Sequence, residues 1–286
     1  MVATAIRVDG IRFTYGDVVA VDDVSFDVAA GEVLGFLGPN GAGKSTTIKM
    51  LTGLLDAQAG RITVLGQEMP QDKEAIQRRM GVCFEEKNLY TDMTGRENLV
   101  FFSRLFGLRG FDPDDLLRRV GLFERRNDRV SGYSKGMRQR LMVARALINE
   151  PDVIFLDEPT DGLDPVSAQA IRRIIQQEAS RGAAVVLTTH NMMEADQLSD
   201  RVAFINEGRV LTIDTPESLK LAHGERAVRV RTRSGGEIAE TVIPLDDGDA
   251  GDRVRAAMTT GDLVTVHTEE ATLEDVFIEF AGRGLE

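Results

Sequence analysis

The chain has 286 residues, 42% hydrophobic and 28% charged, proportions of a folded chain that leave room for one large domain and a small appendage and exclude a disordered one. With 34 basic and 46 acidic residues the net charge is −12, which opposes a broad basic face for nucleic acid. The single cysteine, Cys83, excludes an internal disulfide and suits a reducing compartment, and no apolar run approaches the roughly 18 residues that span a bilayer.

Residues 5–15 alternate in polarity and end at Phe13-Thr14-Tyr15-Gly16, and 24–28 alternate again, so the chain opens as an antiparallel sheet. Tyr15 is read two ways, as an aromatic placed to stack on a base or as a strand-end residue in local packing. The apolar run Val33-Leu34-Gly35-Phe36-Leu37 then leads into Gly38-Pro39-Asn40-Gly41-Ala42-Gly43-Lys44-Ser45-Thr46, which fits G-x-x-x-x-G-K-[ST]. In that pattern glycines let backbone N–H groups turn toward phosphate oxygens, Lys44 adds a point charge, Ser45 supplies a hydroxyl for Mg²⁺, and a helix over 46–54 faces the phosphates. The motif predicts a nucleoside triphosphate site.

A short strand at 62–65 and an apolar run at 80–84 follow, the latter leading into Glu85-Glu86-Lys87-Asn88. Residues 94–106 read as a helix with Leu99, Phe102 and Phe106 on one stripe, a core face or in part a groove for a partner helix. A helix over 112–123 precedes Ser131-Gly132-Tyr133-Ser134-Lys135-Gly136-Met137, a hydroxyl-bearing turn feeding a helix over 141–148. Val153-Ile154-Phe155-Leu156 is a buried strand that delivers Asp157 and Glu158 to the sheet edge, the first suited to hold Mg²⁺ and the second to orient or deprotonate water. After the turn Pro159-Thr160-Asp161-Gly162-Leu163-Asp164-Pro165, a helix runs to about 181. A strand at 183–189 ends at His190, which is able to donate to a phosphate oxygen. A hairpin at 201–213 completes the large domain, and strands at 228–233, 237–243 and 263–266 with helices to 258 and over 272–280 predict an α+β appendage.

The order of these motifs resembles the ATP-binding domain of ABC transporters, with the signature Tyr133-Ser134-Lys135-Gly136-Met137 and the strand-end His190 separating it from other phosphate-loop families. The resemblance implies an α/β P-loop NTPase with an antiparallel β subdomain and a helical subdomain at about 88–150, the whole ATP-binding domain spanning 1–220, and an accessory α+β domain at 221–286. It implies ATP and Mg²⁺ as ligands: Tyr15 on adenine; Asn40, Gly41, Gly43, Lys44, Ser45 and Thr46 on phosphates and metal; Asp157 on Mg²⁺; Glu158 as general base; His190 on the γ-phosphate. Ser134 and Gly136 would reach ATP held by an opposing subunit, with Asp164 at that interface, so one chain would not complete its own site. Glu85, with Glu86 as the alternative register, stands where the family usually has a glutamine, and Glu85 is expected to keep that residue's metal- and phosphate-sensing role. Lys135 replaces the first signature glycine. The tail Ala271-Thr272-Leu273-Glu274-Asp275-Val276-Phe277 is similar to the bacterial drug- and antibiotic-exporter branch. The implied protein is an ATPase subunit at the cytoplasmic face of the membrane, serving separate permease subunits and paired with a second ATPase subunit, a homodimer being favoured. The alternative, a soluble ABC-type ATPase acting on nucleic acid or ribosomes, lacks support from a coiled coil, a second phosphate loop or a basic charge.

Overall fold

The computed structural model describes residues 3–84, 89–223, 227–234, 237–245, 248–269 and 271–282. The chain divides into two units, one reaching to Asp214 and the other beginning at Thr215, earlier than the residue 220 expected from the sequence. In chain order the first unit comprises β1 (Thr4–Tyr15), β2 (Val18–Ala29), β3 (Val33–Leu37), α1 (Lys44–Leu51), β4 (Ala59–Val64), β5 (Gln67–Met69), α2 (Lys73–Gln77), β6 (Met80–Cys83), α3 (Gly95–Leu105), α4 (Asp114–Arg119), α5 (Lys135–Ala146), β7 (Val153–Asp157), α6 (Pro165–Arg181), β8 (Ala184–Thr189), α7 (Met192–Leu198), β9 (Arg201–Asn206) and β10 (Arg209–Asp214).

The strands β3, β7 and β8 are buried at every position. Strands with no polar face fit only the middle of a sheet covered on both sides, and they lie there, in the order β10-β9-β3-β8-β7-β6. Pairing is parallel from β9 through to β6, with β10 returning antiparallel as the edge. Successive strand residues point to opposite faces, and the two cores divide accordingly. Leu34, Phe36, Phe155 and Val186 join α1 and the antiparallel sheet β2-β1-β4-β5, whereas Val33, Ile154, Leu156 and Leu187 join α5 and α6. Each such Leu or Phe contributes about 1.5–3 kcal/mol by leaving water. Cys83 lies fully buried on β6, and burial pushes its thiol up to about 12.

Helix ends follow local chemistry. Thr94 and Glu97 form a reciprocal capping box that starts α3. Ser134 caps α5, its hydroxyl accepting from the Met137 amide at 3.2 Å, so this helix begins well before the expected 141. Asp164 caps α6 with Pro165 in its first turn, and Gly182, at φ 106, ends it. The helix expected over 112–123 is shorter because Gly121 adopts φ 65, and Arg140 donates to the carbonyls of Val120 and Gly121 that the stop leaves open.

The second unit contains α8 (Pro216–His223), β11 (Ala227–Ser234), β12 (Glu237–Pro244), α9 (Ala250–Met258), β13 (Asp262–Glu269) and α10 (Leu273–Ala281). The strand β11 is central, antiparallel to both neighbours, and Val228, Val230 and Ile243 pack against Ala250 and Ala257 of α9. Within this unit α8 meets α10, with His223 Nδ1 3.3 Å from the Glu279 carboxylate. Among the described residues no helix is long and apolar enough to cross a membrane.

Candidate functional site

The loop between β3 and α1 is shaped by close approach. Gly43 has φ 105, and a Cβ there would collide with the Ala20 carbonyl oxygen; one on Gly38 would collide with that of Ile205. Gly41, at φ 82, leaves its outer side open, and Asn40 and Ser45 are exposed. The first-turn amides of a helix have no acceptor within it and carry the positive end of its dipole. At α1 those amides belong to the residues from Lys44 onward, including Ser45 and half-buried Thr46. The result is an anion cradle.

Lys44 is 6% exposed and donates to the Gly38 and Pro39 carbonyls at 2.6 and 3.3 Å, while its ammonium lies 3.7 Å from Glu158 Oε1. Asp157, at the end of β7, is buried; the Thr188 hydroxyl of neighbouring β8 donates to its Oδ1, and the Ser45 hydroxyl lies 3.4 Å from the same oxygen. Glu158 follows in the left-handed region at φ 48, its amide donating to the Thr188 carbonyl at 3.2 Å and hydroxyl at 3.1 Å. Burial holds its carboxyl above the usual carboxylate range, opposed in part by the hydrogen bond and charge of His190 and by Lys44. His190 Nδ1 lies 3.1 Å from Glu158 Oε2. The sequence-separated residues Lys44, Ser45, Asp157, Glu158 and His190 therefore converge on one side of the phosphate loop.

Other expected positions have surroundings of their own. Tyr15 is 47% exposed at the β1–β2 turn, its ring edge-on to Phe13 at 4.8 Å between centroids. Ser134 is exposed at the head of α5. Gly136 is buried against the same chain, where a Cβ would collide with the Ser167 hydroxyl and crowd Asp164. Asp164 accepts from the Ser167 and Val166 amides, and those hydrogen bonds hold its carboxyl below the usual range. Glu85 lies outside the described residues, as does Glu86.

Two positioning groups were not read from the sequence. One is Thr188, which sets Asp157. The other is Glu194, 3% exposed, which accepts from the Thr160 hydroxyl and lies 3.6 Å from Arg172, tying the turn after Glu158 to α7. The spacing Asn191-x-x-Glu194 carries the signal for that helix, since Asn191 caps it through the Glu194 amide at 3.0 Å.

The donor set fits Mg²⁺. This ion takes one or two protein oxygens and completes its shell with water and phosphate, and Asp157 beside the Ser45 hydroxyl offers such a partial shell. Among the described residues no cluster of three His, Cys, Asp or Glu would hold a metal without substrate.

A parallel sheet carrying this phosphate loop and a strand-end carboxylate pair defines a P-loop NTPase. A family model described as ABC transporter matches residues 21–161. The fluoroquinolones export ATP-binding protein of Mycobacterium tuberculosis is 46% identical over 98% of this chain and 94% of its own length. The Nod factor export ATP-binding protein I of Paraburkholderia xenovorans is 37% identical over 100% of both chains. A solved structure described as a dimeric bacterial ABC transporter cassette is 25% identical, with a TM-score of 0.67 over 73% of this chain and 98% of that one. The chain belongs to the ATP-binding proteins of ABC transporters and is an ATP-binding, ATP-hydrolysing cassette.

Proposed function

We propose that this cassette is the ATPase subunit of an exporter, closing head to tail with a second copy around two ATP molecules and driving a separate membrane permease from the cytoplasmic face. The carrying observation is the convergence of Lys44, Asp157, Glu158 and His190, with 3.7 Å between Lys44 and Glu158 and 3.1 Å between Glu158 and His190. In this reading the amides of the 40–46 loop and Lys44 bind the β- and γ-phosphates, and Tyr15 covers adenine with its open face. Bound Mg²⁺, held by Ser45 and Asp157, would neutralise phosphate charge in the transition state. Glu158 accepts the proton of the attacking water as its oxygen bonds to the γ-phosphorus and the bond to the bridging oxygen breaks. His190 donates to a γ-phosphate oxygen. Glu85 takes the sensing position on its place in the sequence alone, and Ser134 with the amides around Gly136 closes the ATP site of the opposing subunit.

An export role is supported by the printed activities of the two relatives, which concern fluoroquinolones in one case and Nod factor in the other. The permease-facing surface is assigned to an apolar groove of about 350 Å³ lined by Leu54, Val82, Phe84, Phe102 and Phe106 among others. The stripe on α3 divides there: Leu99 is fully buried in the core, while Phe102 and the 42%-exposed Phe106 reach the groove.

Glu158→Gln tests the reading. It should bind ATP, lose turnover by about a hundred-fold or more, and accumulate as an ATP-bound dimer in size-exclusion chromatography. Near-normal hydrolysis by that variant would remove Glu158 from its role.

A further inference from the structure

Glu194, in the first turn of α7, carries a carboxylate that is 3% exposed. A charge so far from water has to be bonded on several sides. Its oxygens accept from the hydroxyl of Thr160, in the turn two residues after Glu158. The hydroxyl of Thr189, the residue before His190, donates to Oε2 at 3.4 Å and itself accepts from the Asn191 amide at 3.0 Å. The Asn191 side chain accepts from the Glu194 amide at 3.0 Å, so both chain neighbours of His190 are bonded to Glu194. Arg172 of α6, 3.6 Å from the carboxylate, supplies the counter-charge.

Close packing does not by itself set these positions. A cavity of about 260 Å³ is lined by Glu158, Thr160, Arg172, His190 and Glu194 among others, so the turn after Glu158 has open space beside it. A segment next to open space has fewer packed neighbours to hold it, and its polar bonds carry more of its placement. Hydrogen bonds to a buried, ionised carboxylate are the strong kind.

We infer that Glu194 is a positioning residue for ATP hydrolysis: one buried carboxylate holds the chain after Glu158, through Thr160, and the chain on both sides of His190, through Thr189 and Asn191, and so sets how the two side chains meet. The inference rests on the hydrolytic reading above. The clamp acts through chain neighbours and takes neither ring nitrogen of His190. Nδ1 keeps its contact with Glu158 at 3.1 Å, and Nε2 is left for the γ-phosphate.

The test uses the full chain with Mg-ATP, measuring kcat, KM for ATP and equilibrium ATP binding per folded molecule. Thr160→Val, which keeps the shape and removes the hydroxyl, should lower kcat about ten-fold while KM and ATP binding stay within about two-fold, as expected for misaligned groups rather than a lost binding site. Thr160→Ser, which returns the hydroxyl, should bring kcat back to within about two-fold of the natural chain. Glu194→Ala should lower kcat at least as far as Thr160→Val, and combining the two should cost nothing further, because the bond is already gone. Where Glu194→Ala does not fold, the two Thr160 variants decide. Natural kcat in Thr160→Val, a Thr160→Ser chain as slow as Thr160→Val, or losses in Glu194→Ala and Thr160→Val that multiply would overturn the proposal while leaving the ATPase reading intact. A wild-type chain that does not hydrolyse ATP, or one whose hydrolysis survives Glu158→Gln, would overturn the reading and this inference together.

Discussion

Asp157 owes its orientation to one hydroxyl. Thr188 donates to its Oδ1, leaving the Ser45 side of that carboxylate to face the loop. Groups that orient a metal-facing carboxylate typically set affinity by about ten- to a hundred-fold, so Thr188→Val, which keeps the shape and removes the hydroxyl, should raise the Mg²⁺ concentration for half-maximal ATPase by that range in a metal titration. The phosphate loop was readable from the spacing of its motif, Asp157 and Glu158 from the apolar strand that delivers them, and the place of His190 from the order of motifs that the family resemblance supplies. Thr188 was not. A threonine in a β-branched strand is indistinguishable from a packing residue until the neighbouring strand is known, and the bond from Thr160 to Glu194 likewise depends on two segments meeting in space.

Among the elements, the central strands were legible because continuous apolar runs of four or five residues admit no exposed face. The short helices were not: α2 has five residues and α7 seven, too few for an amphipathic period to emerge. The start of α5 was misread for a related reason, since Ser134-Lys135-Gly136 looks like a turn until its serine is seen capping the helix. Capping also decides α3, whose outer end carries the exposed residues Leu105 and Phe106. Thr94→Ala removes the hydroxyl that accepts from the Glu97 amide, one half of the reciprocal box, and should lower unfolding stability by about 1 kcal/mol in urea titration, with ATP turnover per folded molecule unchanged.

For the whole molecule, the phosphate loop and the groove proposed to face the permease are separate places on the first unit. The phosphate loop closes one end of the parallel sheet, while the apolar groove opens between the end of α1, β6 and α3. Phe106, exposed and outside the catalytic cluster, therefore separates the two functions. Phe106→Asp should keep the ATPase of the purified chain within about two-fold, as surface substitutions usually do, and should abolish co-purification with the permease by placing a charge against an apolar contact. The sequence carried the motif order that assigns the first unit, but no motif marks what the second unit contacts. Its strands and helices were recognisable from periodicity, which reports burial within a fold and says nothing of an external partner.

The left-handed residue at the end of β7 has a consequence for how this protein can be made hardier. Neighbouring strand residues face opposite ways, and Glu158, at φ 48, departs from the extended backbone that would keep it opposite Asp157. That conformation costs a non-glycine residue about 1–2 kcal/mol, and burial disfavours the ionised carboxyl as well. A carboxyl whose native titration point is raised supports the fold below its unfolded value and loses that support as pH rises through the native one. Above it, Glu158 weighs against the folded state on both counts. Glu158→Gly should accordingly melt at a higher temperature than the natural chain at pH 8 while turning over no ATP. Heat tolerance and turnover thus pull against each other at this one backbone position, and a selection for thermal ruggedness alone would erode the chemistry here first.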